Sequence, residues 1–330
     1  MEHRWFILEI NTGKEFDGMN ALVVGGAGFI GSSLCRRLLE LGHEVVCLDN
    51  FSLGNENNIR DLEDNKAFTL IKGDASNFAD LDKVFSAHKP DYVFHLAANS
   101  DIQASATNPN VEFENTYSTT FQILECMRKY DVKKLFFSST SAVYGDKRDV
   151  ALDENTPNLA PISYYGAAKL GSEALISAFS YMNDMSVLVF RFPNVIGENL
   201  THGVIFDFIH RLKDDGTQLR ILGDGRQTKP YIYVQDLVDA IIRFMDVPQG
   251  VTLYNVGVEG ATSVTRIADI ICEEMGLKDV KYNYTGGEGG WKGDVPRFNY
   301  CLDKINAAGW KAKYNSDEAV RMTVKKNLEA

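Results

Sequence analysis

The sequence has few cysteines, and none of them is placed to suggest a disulfide framework or a metal site. The five cysteines are an odd number, lie far apart, include no C-x-x-C pair and have no histidine at a zinc-binding spacing. Because reduced thiols are typical of the cytosol, we expect a cytoplasmic protein with buried free thiols and no metal. The cysteines are Cys35, Cys47, Cys126, Cys272 and Cys301.

The sequence also lacks long apolar runs and an excess of positive charge. No run approaches the ~20 apolar residues of a membrane-spanning helix. Segment 1–18 has no signal-peptide cleavage pattern, and we interpret it as an N-terminal extension, with translation starting at Met1 or Met19. The formal net charge is −11. Since nucleic acids and anionic membranes attract basic surfaces, we expect neither as a partner.

The chain does contain a regular alternation of short apolar runs and helical patterns. Its 330 residues, 45% of them apolar, suffice for a large core. Apolar runs predict buried parallel strands at 21–26, 44–50, 68–74, 92–98, 134–140 and 186–192. Apolar residues at helical spacing predict helices at 29–42, 111–130 and 164–182. This alternation predicts an α/β fold with a doubly wound parallel sheet.

The turn after the first predicted strand is rich in glycine. In "GGAGFIGSSL", the residues Gly25, Gly28 and Gly31 fit G-x-x-G-x-x-G, and Gly26 with the last two fits G-x-G-x-x-G. Because the turn leaves a strand and opens a helix, glycine permits a tight turn and lets backbone N–H groups approach a pyrophosphate. The turn therefore predicts a dinucleotide site, with a purely structural turn as the alternative.

Acidic residues end the second and third predicted strands. Asp49 lies 18 residues after Gly31, where a carboxylate accepts hydrogen bonds from the adenosine ribose hydroxyls. No arginine or lysine lies between Asp49 and Asn58 to neutralise a 2′-phosphate, so NAD is favoured over NADP. Asp74 is placed to hydrogen-bond the adenine amino group. An ordinary turn aspartate is the alternative for Asp49.

A second group of residues suggests acid–base chemistry. Tyr165 and Lys169 stand four apart at the start of a predicted helix and project from one face. A nearby ammonium lowers the pKa of a phenol, which would make Tyr165 a general base. Thr140 ends a predicted strand, where ligands bind in open α/β sheets, and could hydrogen-bond an oxygen shared with Tyr165. Alone, a tyrosine and a lysine at this spacing are common on helix surfaces.

With these motifs the chain resembles the extended short-chain dehydrogenase/reductase superfamily, and within it the NAD-dependent sugar-nucleotide epimerases and dehydratases. The resemblance covers about residues 19–325. Besides the glycine turn, Asp49 and the Tyr165/Lys169 pair, it rests on "HLAA" at His95, "SSTSAVYG" at Ser138, "RFPNVIG" at Arg191, "ILGDGRQTKPYIYVQDL" at Ile221 and "GDVP" at Gly293.

The resemblance implies a Rossmann-type NAD-binding domain and a smaller, partly interleaved α/β domain for the nucleotide sugar. After Pro193 the alternation weakens and glycine-rich turns become frequent. We therefore expect 19–192 to bind NAD, with 236–258 returning to that domain. The segments 193–235 and 259–330 are expected to bind the substrate.

The resemblance also implies specific contacts. For NAD they are Gly25, Gly28, Phe29, Ile30, Gly31, Asp49, Asn50, Asp74, Ala75, Leu96, Ala97, Ala98, Tyr165, Lys169 and Phe192. For the substrate they are Ser141, Asn194, Val204, Lys229, Trp291, Asp294 and Phe298, and for catalysis Thr140, Tyr165 and Lys169. In this family, helices equivalent to 111–130 and 164–182 often form the contact of a homodimer, which we expect here.

Within the family, the chain is similar to UDP-glucose 4-epimerases and their UDP-N-acetylglucosamine-using relatives. Related dehydratases and decarboxylases carry acidic residues where this chain has Ser141 and Ala142. The resemblance thus implies epimerisation at C4 of a UDP-hexose through a transient 4-keto sugar, and the bulk of Phe298 favours glucose and galactose over the N-acetylated sugars. Lys229 and Trp291 stand where relatives often carry arginine. The alternatives are a 2-epimerase, a decarboxylase, a 4,6-dehydratase or a non-catalytic NAD-binding protein.

Overall fold

The computed structural model describes most of the chain, namely residues 18–99, 102–148, 150–198, 200, 203–287, 293, 295 and 299–329. Residues 1–17 of the expected N-terminal extension lie outside the described residues. So do Trp291, Asp294 and Phe298 of the expected substrate site. Each helix in the described part is too short or too polar to cross a lipid bilayer.

The described chain alternates between strands and helices over its first two thirds, and its elements are numbered here in chain order. The strands are β1 Asn20–Val24, β2 Glu44–Asp49, β3 Phe68–Lys72, β4 Tyr92–His95, β5 Lys134–Thr140, β6 Ala151–Leu152, β7 Ser186–Phe192, β8 Asn194–Ile196, β9 Gln218–Ile221, β10 Thr228–Lys229, β11 Tyr231–Tyr233, β12 Gly250–Asn255, β13 Thr262–Ser263, β14 Lys281–Tyr284 and β15 Asn299–Tyr300. The helices are α1 Phe29–Glu40, α2 Phe78–His88, α3 Ile102–Ser105, α4 Asn110–Glu112, α5 Thr119–Lys129, α6 Tyr164–Met182, α7 Val204–Asp214, α8 Val234–Phe244, α9 Val264–Met275, α10 Asp303–Ala307 and α11 Ser316–Glu329.

The main sheet has seven parallel strands in the order β12-β7-β5-β4-β1-β2-β3. The order runs outward in both directions from β1, so helices cover both faces, as in a doubly wound fold. The predicted α/β class with a Rossmann-type sheet is confirmed. The predicted bounds of β5, β7 and α6 agree with the structure at both ends.

Alternate side chains of each strand enter two separate cores, because successive residues of a strand point to opposite faces. In β1, Ala21 and Val23 pack into the core beneath α1 and α8, whereas Leu22 and Val24 pack beneath α2, α5 and α6. The four side chains are buried. Continuous apolar strands are therefore required, and they are what the sequence contains.

The seventh strand and a π-helical segment were not predicted. β12 lies at the sheet edge beside β7 and is partly exposed, so its polar residues obscure the strand pattern. The predicted helix 111–130 contains a π-helical segment, Phe113–Ser118, between α4 and α5. Here the hydroxyl of Thr119 donates to the carbonyl of Glu114, five residues back, over 3.0 Å. Apolar spacing alone cannot distinguish one π turn from an α turn.

The later part of the chain builds a second region with its own core. Strand pairs β8/β11 and β9/β14 lie with α7, α9 and α11 around a third apolar cluster, and β10 pairs with β13 in the same part of the chain. The short β6 pairs with β15, which joins the 151–152 segment of the first region to this later part of the chain. The carboxyl ends of the seven parallel strands meet at one edge of the main sheet, which places the expected site residues together.

Candidate active site

The glycine turn between β1 and α1 forms a cradle that side chains would fill. Gly25 has a positive φ of 83°, and a Cβ there would lie 2.7 Å from the backbone nitrogen of Ala97. A Cβ on Gly31 would lie 2.1 Å from the carbonyl oxygen of Gly25. Both neighbours are backbone atoms and cannot move aside, so glycine is required at these two positions.

The start of α1 is suited to bind an anion. Its N-cap is Gly28, and within the described residues no side chain caps the helix and no acidic residue lies in its first turn. The first N–H groups of a helix lack intrahelical partners and carry partial positive charge. The cradle and this helix end together fit the diphosphate of a dinucleotide, held by backbone N–H groups around Gly28, Phe29 and Ile30.

Asp49 lies beside this turn, at the end of β2. The residue is 7% exposed, and its carboxylate accepts hydrogen bonds from the backbone N–H of Ala27 over 2.9 Å and of Phe51 over 2.8 Å. Burial raises the pKa of Asp49, and these two hydrogen bonds partly oppose the rise. A Cβ on Gly54 would lie 2.6 Å from the carboxylate, so the following loop passes directly over it.

The other residues expected to bind NAD lie along the same sheet edge. Leu96 and Ala97 follow β4, and both donate backbone hydrogen bonds to Val24 over 2.9 Å. Asp74 accepts from the backbone N–H and the hydroxyl of Ser76, over 2.8 Å each, so a local turn occupies one of its oxygens. The remaining expected residues are exposed Asn50, buried Ala75, and partly exposed Ala98 and Phe192.

Tyr165 lies in the first turn of α6, near the end of β5. The hydroxyl of Ser163 caps this helix by accepting from the N–H of Gly166 over 3.1 Å. The Thr140 oxygen accepts from the N–H of Ala142 over 3.1 Å, which leaves its proton to donate to the Tyr165 oxygen. The structure therefore brings Thr140 and Tyr165 together.

Lys169 lies one turn further along α6 and is buried. It is 1% exposed, and its Nζ donates to the carbonyl oxygen of Ser138 over 2.7 Å. Nζ lies 4.7 Å from the ring centroid of Phe137 and 5.9 Å from that of Tyr165. Burial lowers the pKa of Lys169 to about 7, against the opposing charges of Glu112 and Glu173.

The predicted fall in the pKa of Tyr165 is wrong for this arrangement. Burial is the largest effect and raises the pKa of Tyr165, the charge of Glu112 raises it further, and only the hydrogen bond from Thr140 lowers it. The reason is that burial removes water from the phenolate and also favours the neutral form of Lys169. A lysine at the right spacing does not by itself make the phenol acidic.

A buried ion pair lies beneath the site and is not evident from the sequence. Arg191 donates to the two carboxylate oxygens of Glu173 over 3.0 Å and 2.6 Å, and Ser139 donates to the same carboxylate. Arg191 also donates to the hydroxyl of Tyr144 over 3.1 Å. These contacts connect α6, β5 and β7 below the catalytic residues. Arg191 belongs to the motif "RFPNVIG", but nothing in the sequence pairs it with a glutamate 18 residues earlier.

Glu112 is a second residue that the sequence analysis missed. It is 1% exposed, and its two oxygens accept from the side-chain amide of Asn99 and from the hydroxyl of Thr116, each over 2.8 Å. Its charge acts on both Tyr165 and Lys169. In the sequence it is one acidic residue among polar neighbours, and no pattern indicates that it is buried.

The expected substrate residues that the structure describes lie in two places. Ser141 follows Thr140 directly and is buried in the turn that ends β5. Asn194, Val204 and Lys229 belong to the second region, on β8, α7 and β10. Within the described residues, no group of three or more histidine, cysteine, aspartate or glutamate side chains is placed to hold a metal ion.

Comparison with known families agrees with this geometry. Residues 21–257, which include the glycine cradle, Asp49, Thr140, Tyr165 and Lys169, match the model of the NAD-dependent epimerase/dehydratase family. The chain belongs to this family. Its cofactor is NAD, as the glycine turn and Asp49 predicted.

Similar proteins include sugar-nucleotide 4-epimerases. UDP-arabinose 4-epimerase 1 of Arabidopsis thaliana is 33% identical over 292 residues, 80% of this chain and 69% of that protein. Two solved structures are similar to this chain. Thermotoga maritima UDP-glucose 4-epimerase, solved with UDP-glucose, shares 31% sequence identity with it, and Thermus thermophilus UDP-glucose 4-epimerase, solved with NAD, shares 28%. Both superimpose with a TM-score of 0.83, over 93% of this chain and 98% of the other.

Proposed function

We propose that this protein is an NAD-dependent UDP-hexose 4-epimerase that interconverts UDP-glucose and UDP-galactose. The observation that carries the proposal is the placement of Thr140, Tyr165 and Lys169 at the same sheet edge as the glycine cradle. The names of the relatives support a UDP-sugar substrate and reaction at C4.

The roles of the three residues follow from their contacts. The chemistry that NAD+ supplies when bound is acceptance of the C4 hydrogen as hydride and its return, together with a positive charge that favours a nearby phenolate. Tyr165 takes the proton from the C4 hydroxyl and gives it back. Thr140 donates a hydrogen bond to the phenolate, which stabilises its ionised form. Lys169 contributes an ammonium held in place by Ser138.

Epimerisation is favoured over dehydration by the turn after β5. Elimination of water needs an acid–base pair near the sugar. The turn places Ser141 and Ala142 next to Thr140, and neither carries a carboxylate. Of the substrates named for relatives, UDP-arabinose differs from UDP-hexoses at C5, and the N-acetylated sugars differ at C2, so both belong in the test.

The experiment is turnover of candidate UDP-sugars by the purified protein, followed by NMR of the anomeric protons. The parent protein and the Tyr165→Phe variant are each assayed with four substrates: UDP-glucose, UDP-galactose, UDP-N-acetylglucosamine and UDP-arabinose. We expect the C4 epimer from the hexoses, and a loss of about 10²- to 10⁴-fold in rate in the variant. Equal rates for both proteins would refute Tyr165 as the base, and turnover of UDP-arabinose alone would correct the substrate.

We further propose the domain division expected from the sequence, with 19–192 binding NAD and 193–235 and 259–330 binding the substrate. Its support is that β12 and most of α8 lie within 236–258 and pack with the first region: β12 pairs with β7, and α8 packs against α1. The third apolar cluster consists of residues of the later segments alone, whereas Ile232, Val234, Ile305 and Trp310 of those segments pack into the core of the first region. The residues expected to bind NAD and substrate are proposed with the roles stated above.

We also propose a cytoplasmic homodimer formed through α5 and α6. The exposed face of α6 bears Ala174, Ser177, Ala178 and Tyr181, with Tyr181 85% exposed. The two charged residues of this 19-residue helix, Lys169 and Glu173, point into the protein. Exposed Phe113 and Phe121 continue the apolar surface. The exposed face of α6, with small and aromatic side chains and no exposed charge, is suited to packing against a second copy.

A further inference from the structure

Glu112 is a buried carboxylate whose hydrogen-bond donors, within the described part of the chain, are both neutral. They are the amide of Asn99 and the hydroxyl of Thr116, at 2.8 Å each. A buried charge is costly unless it is paired with an opposite charge. Glu112 lies at the junction of α4 and the π-helical segment, and both pack against α6. Irregular helical turns of this kind are frequent at functional sites.

The charged groups around Tyr165 and Lys169 show which opposite charge Glu112 meets. From α6 itself comes Glu173, which Arg191 neutralises through two hydrogen bonds. His95 lies on β4. Burial and the charge of Lys169 hold the pKa of His95 well below its usual range, so its imidazole is neutral. From the strand beside it, β5, Ser138 and Thr140 offer only neutral groups. Among the acidic residues that the structure describes near this site, Glu112 is therefore the one without a bound arginine.

We propose that Glu112 is the buried counter-charge of the Lys169 ammonium and a positioning residue for the 4-epimerase reaction, acting through Lys169 and Tyr165 without touching the sugar. This inference rests on the proposed function for its effect on turnover. Its effect on Lys169 is independent of any substrate.

The proposal has a definite consequence for pH dependence. The negative charge of Glu112 favours the ammonium form of Lys169 and disfavours the phenolate form of Tyr165. It therefore raises the pKa of Lys169 and the pKa of Tyr165. Turnover needs Tyr165 deprotonated and Lys169 protonated. Removal of the charge therefore moves both limbs of the pH–rate profile in the same direction, toward lower pH. Loss of a merely structural contact would lower the rate without moving either limb.

The first test is the pH–rate profile of Glu112→Gln, which keeps the size of the side chain. We expect both limbs to move toward acid by roughly one pH unit, the effect of one charge at short range. Glu114→Gln is the matched control, because Glu114 lies two residues after Glu112 and its side chain is exposed. Glu112→Asp keeps the charge and should restore the parent profile. Limbs that stay where they are in the parent would overturn the proposal.

The second test needs no turnover. Lysine labelled with ¹³C at the ε-carbon reports the protonation of Lys169 by NMR, and Lys169→Met identifies its signal. We expect the titration midpoint of Lys169 to fall by roughly one pH unit in Glu112→Gln and to stay unchanged in Glu114→Gln. Glu112→Leu is prepared in parallel, and whichever charge-removing variant folds decides the matter. An unchanged midpoint would overturn the proposal. Absence of turnover in the parent would refute the proposed function but leave this titration decisive.

Discussion

The Nζ of Lys169 lies 2.7 Å from the carbonyl oxygen of Ser138, inside the protein and against the ring of Phe137. The strand β5 thus holds the lysine that α6 carries into the site. Burial of this amine lowers its pKa to about 7, although the charges of Glu112 and Glu173 oppose the fall. The catalytic arrangement is therefore obtained at a cost in folding stability, and that cost depends on pH.

Replacement of Lys169 by methionine should remove a pH dependence of stability. Because the folded-state pKa is lowered to about 7 from 10.5, the unfolded chain binds more protons between these values, and parental stability rises with pH in that window. Relative to Lys169→Met, the free energy of unfolding of the parent should increase by about 2 kcal/mol from pH 7 to pH 9. Denaturant unfolding at both pH values measures this difference.

The control for that experiment is Lys83→Met, since the Lys83 side chain is 78% exposed. Its hydration changes little on folding, so the difference from the parent should be the same at both pH values. If the Lys169→Met difference were also independent of pH, Lys169 would not be a buried amine with a lowered pKa.

Substitution of Gly31 by alanine should disrupt the NAD site. The new methyl group would lie 2.1 Å from the carbonyl oxygen of Gly25 and 2.8 Å from the Cα of Gly26, and both are backbone atoms. We expect a loss of about 1–3 kcal/mol in stability and at least tenfold weaker NAD binding, measured by calorimetry. Gly216→Ala is the control, because its nearest neighbour is the flexible end of Leu277 at 3.2 Å. NAD affinity equal to that of the parent in Gly31→Ala would contradict the cradle.

A charge on the exposed face of α6 should separate the proposed dimer. Ala178→Glu places a carboxylate in a helix face without exposed charges, where burial against a second copy would cost several kcal/mol. Light scattering on a gel-filtration column should show a dimer for the parent and a monomer for the variant. Ala307→Glu, at an exposed position of α10, should leave the dimer intact. A monomeric parent protein would refute the proposed dimer.

Much of the fold could be predicted because the strands of the main sheet are buried on both faces. Apolar runs such as those of β5 and β7 are typical of such strands, and their predicted bounds agree with the structure. The edge strand β12 was missed because one side of it is exposed to water. Exposure permits polar residues, which obscure the pattern.

The site could be predicted in part, for a different reason. Glycine and the Tyr165/Lys169 spacing are local signals, so they are visible in a short stretch of sequence. The Arg191–Glu173 ion pair and the burial of Glu112 depend on contacts between separate elements. The direction of the Tyr165 pKa shift was wrong because spacing shows which groups are near but not how much water they lose.

The central claim is that a hydrogen leaves C4 of the sugar and returns to the same carbon. The most direct test is conversion of UDP-galactose in D₂O by the parent protein, with the product examined by NMR and mass spectrometry. The account predicts UDP-glucose that carries no deuterium on carbon, with conversion lost in Tyr165→Phe. Deuterium at C4 would show exchange with solvent in place of hydride return, and deuterium at C5 of a 4-keto-6-deoxy product would indicate elimination. Either result would contradict the account.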